Sequence, residues 1–332
     1  MPKISVVVPV YGVEQYIMRC AKSLFEQTLT NVEYIFIDDC SVDKSIAVLE
    51  QVIEEYKQFI ADSKNIVRVV RMPINSGIAA VRRMGVMLAR GDYLIYCDSD
   101  DWVEHDFLEC LYNNAIESHA DVVICDFWID GVKHRKYKQI VSDDILLDFL
   151  TEKIGWSVWN KLVKRSLFDE SFIFPRQNMA EDMLMALQYI IHGQNIVYLQ
   201  KALYHYTFNK TSISHVMHRD QILIRYYSSK DNIDQAILIL KNNALEYKYS
   251  KALEFFKYHV RRHLMPLLGE RRYLNLWKNT YPEINKTFLA NSHVSFRTRI
   301  QYILISSGIY TLFCKCISLF RLNLYASKVE KC

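Results

Sequence analysis

The first 130 residues alternate short apolar runs with longer amphipathic stretches, and this alternation limits the possible fold more than any other feature. The apolar runs are rich in β-branched and aromatic residues, as strands buried on both faces are. We expect these strands at residues 4–10, 32–39, 65–70, 92–98 and 121–127. The stretches between them place apolar residues three and four positions apart, which predicts core-packed helices at 14–28, 43–60, 77–89 and 105–118. Repeated βα units build a mostly parallel sheet that binds ligands beyond the carboxyl ends of its strands.

The pattern changes after the fifth strand. Residues 128–141 predict a hairpin that turns at Asp130-Gly131, a pair typical of tight turns. Helices are expected near 143–152 and 181–192, and the spacing of apolar residues over 215–332 is mostly helical. The sequence therefore predicts an α/β region followed by a helical C-terminal region.

Charge is distributed unevenly between these two regions. Residues 1–214 carry 22 Lys and Arg against 29 Asp and Glu, a net −7, whereas residues 215–332 carry 19 against 8, a net +11. A basic C-terminal third predicts an anionic partner, either membrane headgroups or nucleic acid. The eight cysteines include no CxxC pair and the first residues show no secretory signal pattern, so we expect a reducing, cytoplasmic location.

Three carboxylates, Asp98, Asp100 and Asp101, directly follow the fourth strand. Like charges this close repel and raise one another's pKa unless a cation or several donors neutralise them. One interpretation is a solvated loop in which Asp101 caps a helix that starts near His105. The other is a metal site, because carboxylate oxygens suit Mn²⁺ and Mg²⁺ and the cluster stands where this kind of sheet binds ligands.

Motifs follow all of the first four strands: "PVYGVE", "DDCS", "INSG" and "CDSDD". In this order they resemble the pattern of glycosyltransferase family 2, and the resemblance covers residues 3–215. It implies a GT-A, Rossmann-like α/β fold over residues 1–214, with a nucleotide-binding half (1–130) and an acceptor half (131–214). Residues 215–332 would then be a helical, basic extension.

The resemblance assigns nucleotide-binding roles to seven residues: Pro9, Tyr11, Glu14, Asp39, Gly77, Arg82 and Asp98. The first three would surround the base and ribose. Asp39 would accept the uracil N3–H, a donor that cytosine lacks. Arg82, after the turn at Gly77, would lie beside the diphosphate.

The family's DxD motif matches Asp98-Ser99-Asp100, which implies a Mn²⁺ or Mg²⁺ cofactor bound with the diphosphate. Asp100 would be the direct ligand, and Asp98 would face the ribose or the metal. Asp101 would cap the helix that starts near His105 or support the metal shell. His205, in the segment "LYHYTFNKTSIS", is our third candidate ligand, although a histidine in an aromatic strand is commonly structural. Lys210 and Ser212 in the same segment could reach the diphosphate.

The catalytic candidates are Glu181 and Asp182, which follow a "WNKLVKR" motif as in many family members. The resemblance implies that Asp182 is the general base. A carboxylate suits that role because it must take a proton from an acceptor hydroxyl, and direct displacement then inverts the anomeric centre. The alternative is that both acids only stabilise a helix N-terminus. Trp159 would shape the acceptor pocket or fill the core.

Three positions depart from the family's usual residues. Gly12, Cys40 and Arg83 stand where Asn, Gly and Asn are common. They lie beside the matching residues without replacing them, so they bear on the choice of donor sugar more than on the chemistry.

Residues 297–321 are mostly apolar and bounded by arginines, but Gln301 and Lys315 interrupt them. We expect helices lying on an anionic membrane surface in preference to a spanning helix, which needs about 20 apolar residues. The alternative is a helix packed on the catalytic domain or on a second subunit, so a homodimer stays open.

We therefore expect an inverting, metal-dependent hexosyl- or N-acetylhexosaminyltransferase on the inner face of a bacterial plasma membrane. Its partners would be a UDP-sugar donor and a lipid-linked glycan acceptor of a capsule or O-antigen kind. A dinucleotide-dependent oxidoreductase is excluded, because "PVYGVEQY" has one glycine where G-x-G-x-x-G is needed. A nucleic-acid-binding protein is the remaining alternative, but the basic region matches no recognised binding module.

Overall fold

A computed structural model describes residues 1–130, 135–209 and 218–310. The chain divides into two compact units, Met1–Lys210 (unit 1) and Thr211–Cys332 (unit 2). The predicted domain boundary near residue 215 lies outside the described residues and stays a prediction.

Unit 1 is built on a nine-stranded sheet in the part of the chain that the structure describes. Its strands are β1 (Ile4–Val10), β2 (Val32–Asp38), β3 (Ile66–Arg71), β4 (Tyr93–Tyr96), β5 (Trp102–Val103), β6 (Val122–Asp130), β7 (Arg135–Tyr137), β8 (Lys161–Lys164) and β9 (Ile196–Thr207). Their order across the sheet is β3-β2-β1-β4-β8-β6-β9-β5, and β7 pairs with β6.

Parallel pairing joins the first four strands, as the βα repeats predict. The sheet then becomes mixed, because β8 enters antiparallel between β4 and β6. The sequence reasoning predicted no strand at β8. Ile129 of β6 pairs with Arg135 of β7, so the predicted hairpin pairing is present, and residues 131–134 of its connection lie outside the described chain.

Seven α-helices of unit 1 accompany this sheet among the described residues: α1 (Ile17–Phe25), α2 (Ser45–Glu55), α3 (Lys57–Asp62), α4 (Ile78–Leu88), α5 (Phe107–Glu117), α6 (Ile145–Leu150) and α7 (Glu181–His192). The helix predicted over 43–60 is two helices, because the backbone leaves helical geometry at Tyr56. Helix α7 spans the predicted range.

The interior of unit 1 lies on both faces of β1, β2 and β4, whose residues are all buried. Strand β3 differs, and the prediction that it is buried on both faces is wrong. It forms one edge of the sheet, so Ile66 and Val69 are exposed. An apolar run alone does not distinguish an edge strand from a central one.

Unit 2 is helical over residues 218–310, with α8 (Arg219–Asn242), α9 (Ser250–Arg262), α10 (Arg271–Asn279), α11 (Ile284–Thr287) and α12 (Phe296–Ser306). Its interior is aromatic: Tyr258, Trp277, Phe288 and Tyr302 contact one another. Within the described ranges, no helix is both long enough and apolar enough to cross a bilayer.

Candidate active site

Strands β1 and β4 stop pairing before β1 ends. Their ladder closes at Val7 and Tyr96, and Val7 O accepts the last hydrogen bond from Cys97 N at 3.0 Å. Pro9 lies two residues further, so its backbone faces the same side, where β4 no longer offers an acceptor. The missing N–H of Pro9 therefore costs no ladder hydrogen bond, which fits a proline at a point where two strands separate.

The loop after β1 is held by Glu14. Its Oε2 accepts from Lys44 N at 2.9 Å, and its own N–H donates to Asp43 Oδ2 at 3.0 Å. Tyr11, before it, is 52% exposed. The loop thus presents an aromatic ring at the rim, next to a backbone fixed against the start of α2.

Asp39 is buried at the end of β2 and ties this strand to the loop before α4. Its Oδ1 accepts from Ser76 N at 2.7 Å and its Oδ2 from Gly77 N at 2.8 Å. Its neighbour Asp38 accepts from Ser41 N at 2.7 Å, as a turn residue does. Asp39 therefore positions the turn that leads to Arg82.

Two of the departures from the family's usual residues fall where the backbone is left-handed. Gly12 has φ of 67° and Cys40 has φ of 60°. Gly and Asn adopt this conformation readily, which explains their frequency there in the family. Cys40 carries a Cβ in that conformation, and its thiol donates to Met72 O at 3.1 Å.

Asp101 does not cap a helix, and that prediction is wrong. It is buried beneath the turn, accepting from Tyr204 Oη at 2.7 Å and from Thr207 N at 2.7 Å. Tyr204 Oη also accepts from Asp98 N at 3.1 Å. The N-cap residue of α5 is Asp106. Asp101 and Tyr204 thus hold the Asp98-Ser99-Asp100 turn on β9.

Two carboxylates of this turn, Asp100 and Asp101, have a raised pKa. Burial, then the charge of Asp98, raises the pKa of Asp100. Burial, then the charges of Asp100 and Asp98, raises the pKa of Asp101, although the bonds from Thr207 and Tyr204 oppose this. The ionised forms of Asp100 and Asp101 are therefore disfavoured when no ligand is bound, and a cation would stabilise them.

Carboxylate oxygens are the chemistry that Mn²⁺ and Mg²⁺ prefer, so the turn fits such an ion. Over the described residues, no group of three or more His, Cys, Asp or Glu is arranged to hold a metal by itself. Mg²⁺ commonly uses one or two carboxylates and completes its shell with phosphate oxygens and water. The arrangement suits an ion that binds together with a diphosphate.

Arg82 joins the acidic turn to α7. Its Nη2 lies 3.1 Å from Asp98 Oδ1, its Nη1 lies 2.9 Å from Glu181 Oε1, and the same nitrogen pairs with Asp182. The side chain is buried over the ring of Tyr96. Burial lowers the pKa of Arg82, but Asp98 and Glu181 more than offset this, so its pKa lies above the ordinary value.

Glu181 and Asp182 occupy the first turn of α7, where the helix dipole favours acids. The chain enters this helix through Ala180, which is left-handed at φ of 59°. Asn178, just before it, accepts from Ala79 N at 3.1 Å through Oδ1. The start of α7 is thus attached to the start of α4 by Asn178 and by the Arg82 ion pairs.

His205 lies on β9 but contacts other carboxylates. Its Nε2 lies 2.8 Å from Glu104 Oε1, its Nδ1 lies 3.4 Å from Asp130 Oδ1, and its ring stacks on Trp102. The adjacent Tyr204 faces the acidic turn instead, because successive strand residues point to opposite faces. These contacts give His205 no support as a metal ligand, and its assignment stays a prediction.

The structure places two further residues at this turn that the sequence reasoning did not select. Asn209 donates from Nδ2 to Asp100 Oδ2 at 3.0 Å. Tyr204 stacks on Trp159, which is buried in the core, and the pocket role of Trp159 stays a prediction. Lys210 and Ser212, proposed for the diphosphate, lie outside the described residues.

Lys161, of the "WNK" motif, holds the loop that carries Trp159. Its buried Nζ donates to Gly155 O and Ser157 O, both at 2.7 Å, and to Asn160 Oδ1 at 3.0 Å. Burial lowers the pKa of this amine to about 7. In the sequence, the indication of this role is a lysine directly before two apolar residues, in "NKLV".

The family model of glycosyl transferase family 2 matches residues 5–180, more than half of the chain. This chain belongs to glycosyltransferase family 2. It is 30% identical to EpsH of Bacillus subtilis over 77% of this chain and 74% of that protein. It is 28% identical to the poly(ribitol-phosphate) β-N-acetylglucosaminyltransferase TarP of Staphylococcus aureus, over 59% of each chain.

The match spans from 32% to 74% of the length of the first curated relatives. Among solved structures, residues 1–349 of S. aureus TarS in complex with UDP align with a TM-score of 0.67 at 21% identity, covering 97% of this chain and 92% of that one. The same protein in complex with UDP-GlcNAc aligns with a TM-score of 0.66. This likeness confirms the predicted GT-A fold, and the family confirms a glycosyltransferase.

Proposed function

We propose that this glycosyltransferase is inverting and metal-dependent, and that it transfers a hexosyl or N-acetylhexosaminyl group from a UDP-sugar to a lipid-linked surface glycan. One observation carries the proposal. The guanidinium of Arg82 pairs with Asp98 of the acidic turn and with Asp182 of α7. One residue therefore connects the proposed diphosphate-binding turn with the proposed general base.

Asp100 is the proposed metal ligand, with Asp98 shared between Arg82 and the nucleotide. Bound there, Mn²⁺ or Mg²⁺ would supply positive charge for the leaving diphosphate. The raised pKa of Asp100 supports this role, because a carboxylate that is disfavoured in its charged form gains most from a cation. Arg82 would add a second cation on the side of the leaving group.

Asp182 is the proposed general base. It lies in the first turn of α7 and pairs with Arg82. A carboxylate held in this way can take the proton of an acceptor hydroxyl as that oxygen attacks the anomeric carbon. Glu181, paired with the same guanidinium, is proposed to align it.

Asp39 is the proposed reader of the base. Each of its oxygens accepts one backbone N–H, and a carboxylate oxygen has a further lone pair for the uracil N3–H. The UDP and UDP-GlcNAc complexes of TarS support a uridine donor. Gly77, Tyr11, Glu14 and Pro9 complete the proposed nucleotide site.

The acceptor is proposed to be a cell-surface polysaccharide, teichoic acid, capsule or O-antigen in kind. The name of TarP, a poly(ribitol-phosphate) transferase, supports this class. A lipid-linked chain of this kind would be extended at the inner face of the plasma membrane, which is our proposed peripheral location.

A donor screen tests the proposal. UDP-sugars are assayed with Mn²⁺ for transfer and hydrolysis, and UDP affinity is measured by calorimetry with and without the metal. Asp182→Asn should retain UDP binding and lose transfer by about 10²–10⁴-fold. Asp100→Ala should lose the metal-dependent part of UDP affinity.

Asp92→Asn, an exposed carboxylate before β4, is the matched control and should match wild type in both assays. Full transfer activity in Asp182→Asn would exclude it as the base. Salt-sensitive RNA binding without turnover of any UDP-sugar would favour the nucleic-acid alternative.

A further inference from the structure

Within the described ranges, helix α12 packs through one of its faces. Tyr302 and Ile305 are buried, and the Tyr302 ring lies 4.7 Å from that of Phe288 and 5.1 Å from that of Trp277. This inner face belongs to the aromatic interior of unit 2. The helix is therefore fixed in place independently of its outer side.

The outer face of α12 carries an apolar stripe in solvent. Phe296 is 78% exposed, Ile300 is 43% exposed and Ile303 is 48% exposed. Their spacing of four and three residues places them in one row along the helix. Ser295 begins the helix, accepting from Thr298 N at 3.2 Å, so Phe296 stands at its first position.

The charged residues of α12 itself, Arg297 and Arg299, are both cations. No Asp or Glu occurs in the sequence from residue 284 to 329, which contains six Lys and Arg. Arg297 is exposed next to Phe296. Helix α8 differs because its surface carries both signs of charge. Asp234 accepts a hydrogen bond from Lys230, and Asp231 accepts one from Gln235.

We infer that the outer face of α12 docks on an anionic lipid bilayer. An apolar row flanked by cations alone is the pattern of a helix that lies in the membrane interface, with its side chains among the acyl chains and its cations at the headgroups. The helix has 11 residues, so it lies on the membrane and does not cross it.

Two other occupants fit the surface less well. A stable homodimer buries about 1,200–2,000 Å² in total, which is more than three side chains on one helix provide. Nucleic acid is bound chiefly through cation–phosphate contacts, which give no use for an exposed apolar row. An anionic bilayer can bury the apolar row and bind the cations at its headgroups.

This inference deepens the proposed function, because a lipid-linked acceptor is found at the same surface. The two can fail separately. Membrane binding is measured without a sugar nucleotide, and UDP affinity is measured without lipid.

The test is co-sedimentation of the full chain with vesicles of phosphatidylglycerol and phosphatidylethanolamine, compared with phosphatidylcholine alone. Ile300→Ser with Ile303→Ser should lower the partition coefficient on anionic vesicles about tenfold, since two apolar side chains are lost from the interface. Arg297→Gln should lower it about fivefold and reduce its dependence on salt.

Matched controls come from α8 of the same unit. Ile224 and Leu238 are 58% and 53% exposed, and their double replacement by Ser should leave the partition coefficient unchanged. Lys241→Gln is the control for charge. Unchanged UDP affinity shows that each variant is folded.

Three results would overturn the inference. One is equal loss of binding in the α8 and α12 variants. Another is binding to neutral vesicles as strong as to anionic ones. The third is a dimer in solution, measured by sedimentation, that the α12 replacements dissociate while vesicle binding is absent.

Discussion

Each unit buries an arginine, and the two side chains differ in their partners. Arg82 in unit 1 pairs with the carboxylates of Asp98, Glu181 and Asp182. Arg261 in unit 2 is fully buried and bonds to neutral oxygens: Thr280 O at 2.7 Å, Tyr281 O at 2.8 Å, Asn285 Oδ1 at 2.8 Å and Tyr302 Oη at 3.3 Å. Its guanidinium also lies over the Trp277 ring, 4.6 Å from the centroid.

The difference separates a structural residue from one that we propose to be functional. Arg261 donates to oxygens of neutral groups, and burial lowers its pKa. Arg82 faces three carboxylates with one positive charge, so its surroundings hold excess negative charge that a cationic ligand or bound protons can balance. A buried ion cluster of unbalanced sign thus marks a ligand site, and a buried ion with neutral partners marks a fold-stabilising one.

The largest expected effect is on stability in unit 2. Arg261→Met should lower the free energy of unfolding by about 3–5 kcal/mol, because several buried oxygens lose their donor. Denaturant unfolding measures this. Arg262→Met, its exposed neighbour, is the control and should stay within about 0.5 kcal/mol of wild type. A loss equal to that of the control would show that Arg261 is not a stabilising centre.

Arg82→Met should lower catalytic activity strongly and stability only slightly. The proposed base and the acidic turn lose their shared cation, so kcat should fall about 10²–10³-fold. The midpoint of thermal unfolding should change far less than for Arg261→Met, because the remaining carboxylates can take up protons. Arg83→Met, exposed on the same helix, should leave kcat unchanged. Unfolding of the Arg82 variant at the assay temperature would contradict the comparison.

The third prediction concerns pH and unit 2. Burial, then the neighbours His259, Arg225 and Arg262, lowers the pKa of His263 to about 3. The unfolded chain takes up this proton below about pH 6.5 and the folded chain does not, so stability is lost as pH falls from about 6.5 toward 3.

His263→Asn should remove this acid-induced loss of stability, which is about 1–2 kcal/mol at pH 5. Unfolding at pH 7 and pH 5 measures it, with the exposed His105→Asn as control. An equal pH dependence in wild type and His263→Asn would show that the histidine is charged in the folded protein.

The smallest effect is expected at Tyr204. Tyr204→Phe removes the hydroxyl that donates to Asp101 and accepts from Asp98 N, so about 1 kcal/mol of stability should be lost. Metal-dependent UDP affinity should fall about threefold, measured by calorimetry. Tyr206→Phe, whose ring stacks on the same Trp159, is the control and should bind UDP like wild type.

The sequence predicts the parts of this site that depend on local pattern. Strand ends are visible where apolar runs stop, so Asp39 and Asp98 can be assigned to one edge of the sheet from the order of residues alone. The role of Asp101 cannot, because its partners Tyr204 and Thr207 lie more than a hundred residues away. Strand β8 escapes prediction for a similar reason, since its four residues become a strand only between β4 and β6.

The edge position of β3 also depends on the whole sheet. Its residues are as apolar as those of a central strand, and only the strand order leaves Ile66 exposed. The resemblance to a known family identifies the residues around Arg82 but does not predict which of them contact one another. That one guanidinium contacts both acidic motifs follows from the position of α4 beside the first turn of α7.

The turn at Gly77 limits how this enzyme can be re-engineered. It adopts φ of 81°, and a Cβ there would lie 2.1 Å from Nδ2 of Asn178. Segments exchanged with relatives to alter sugar preference must therefore bring residues 77 and 178 together as a compatible pair. A chimera that changes one without the other would misalign the helix that carries the proposed proton acceptor.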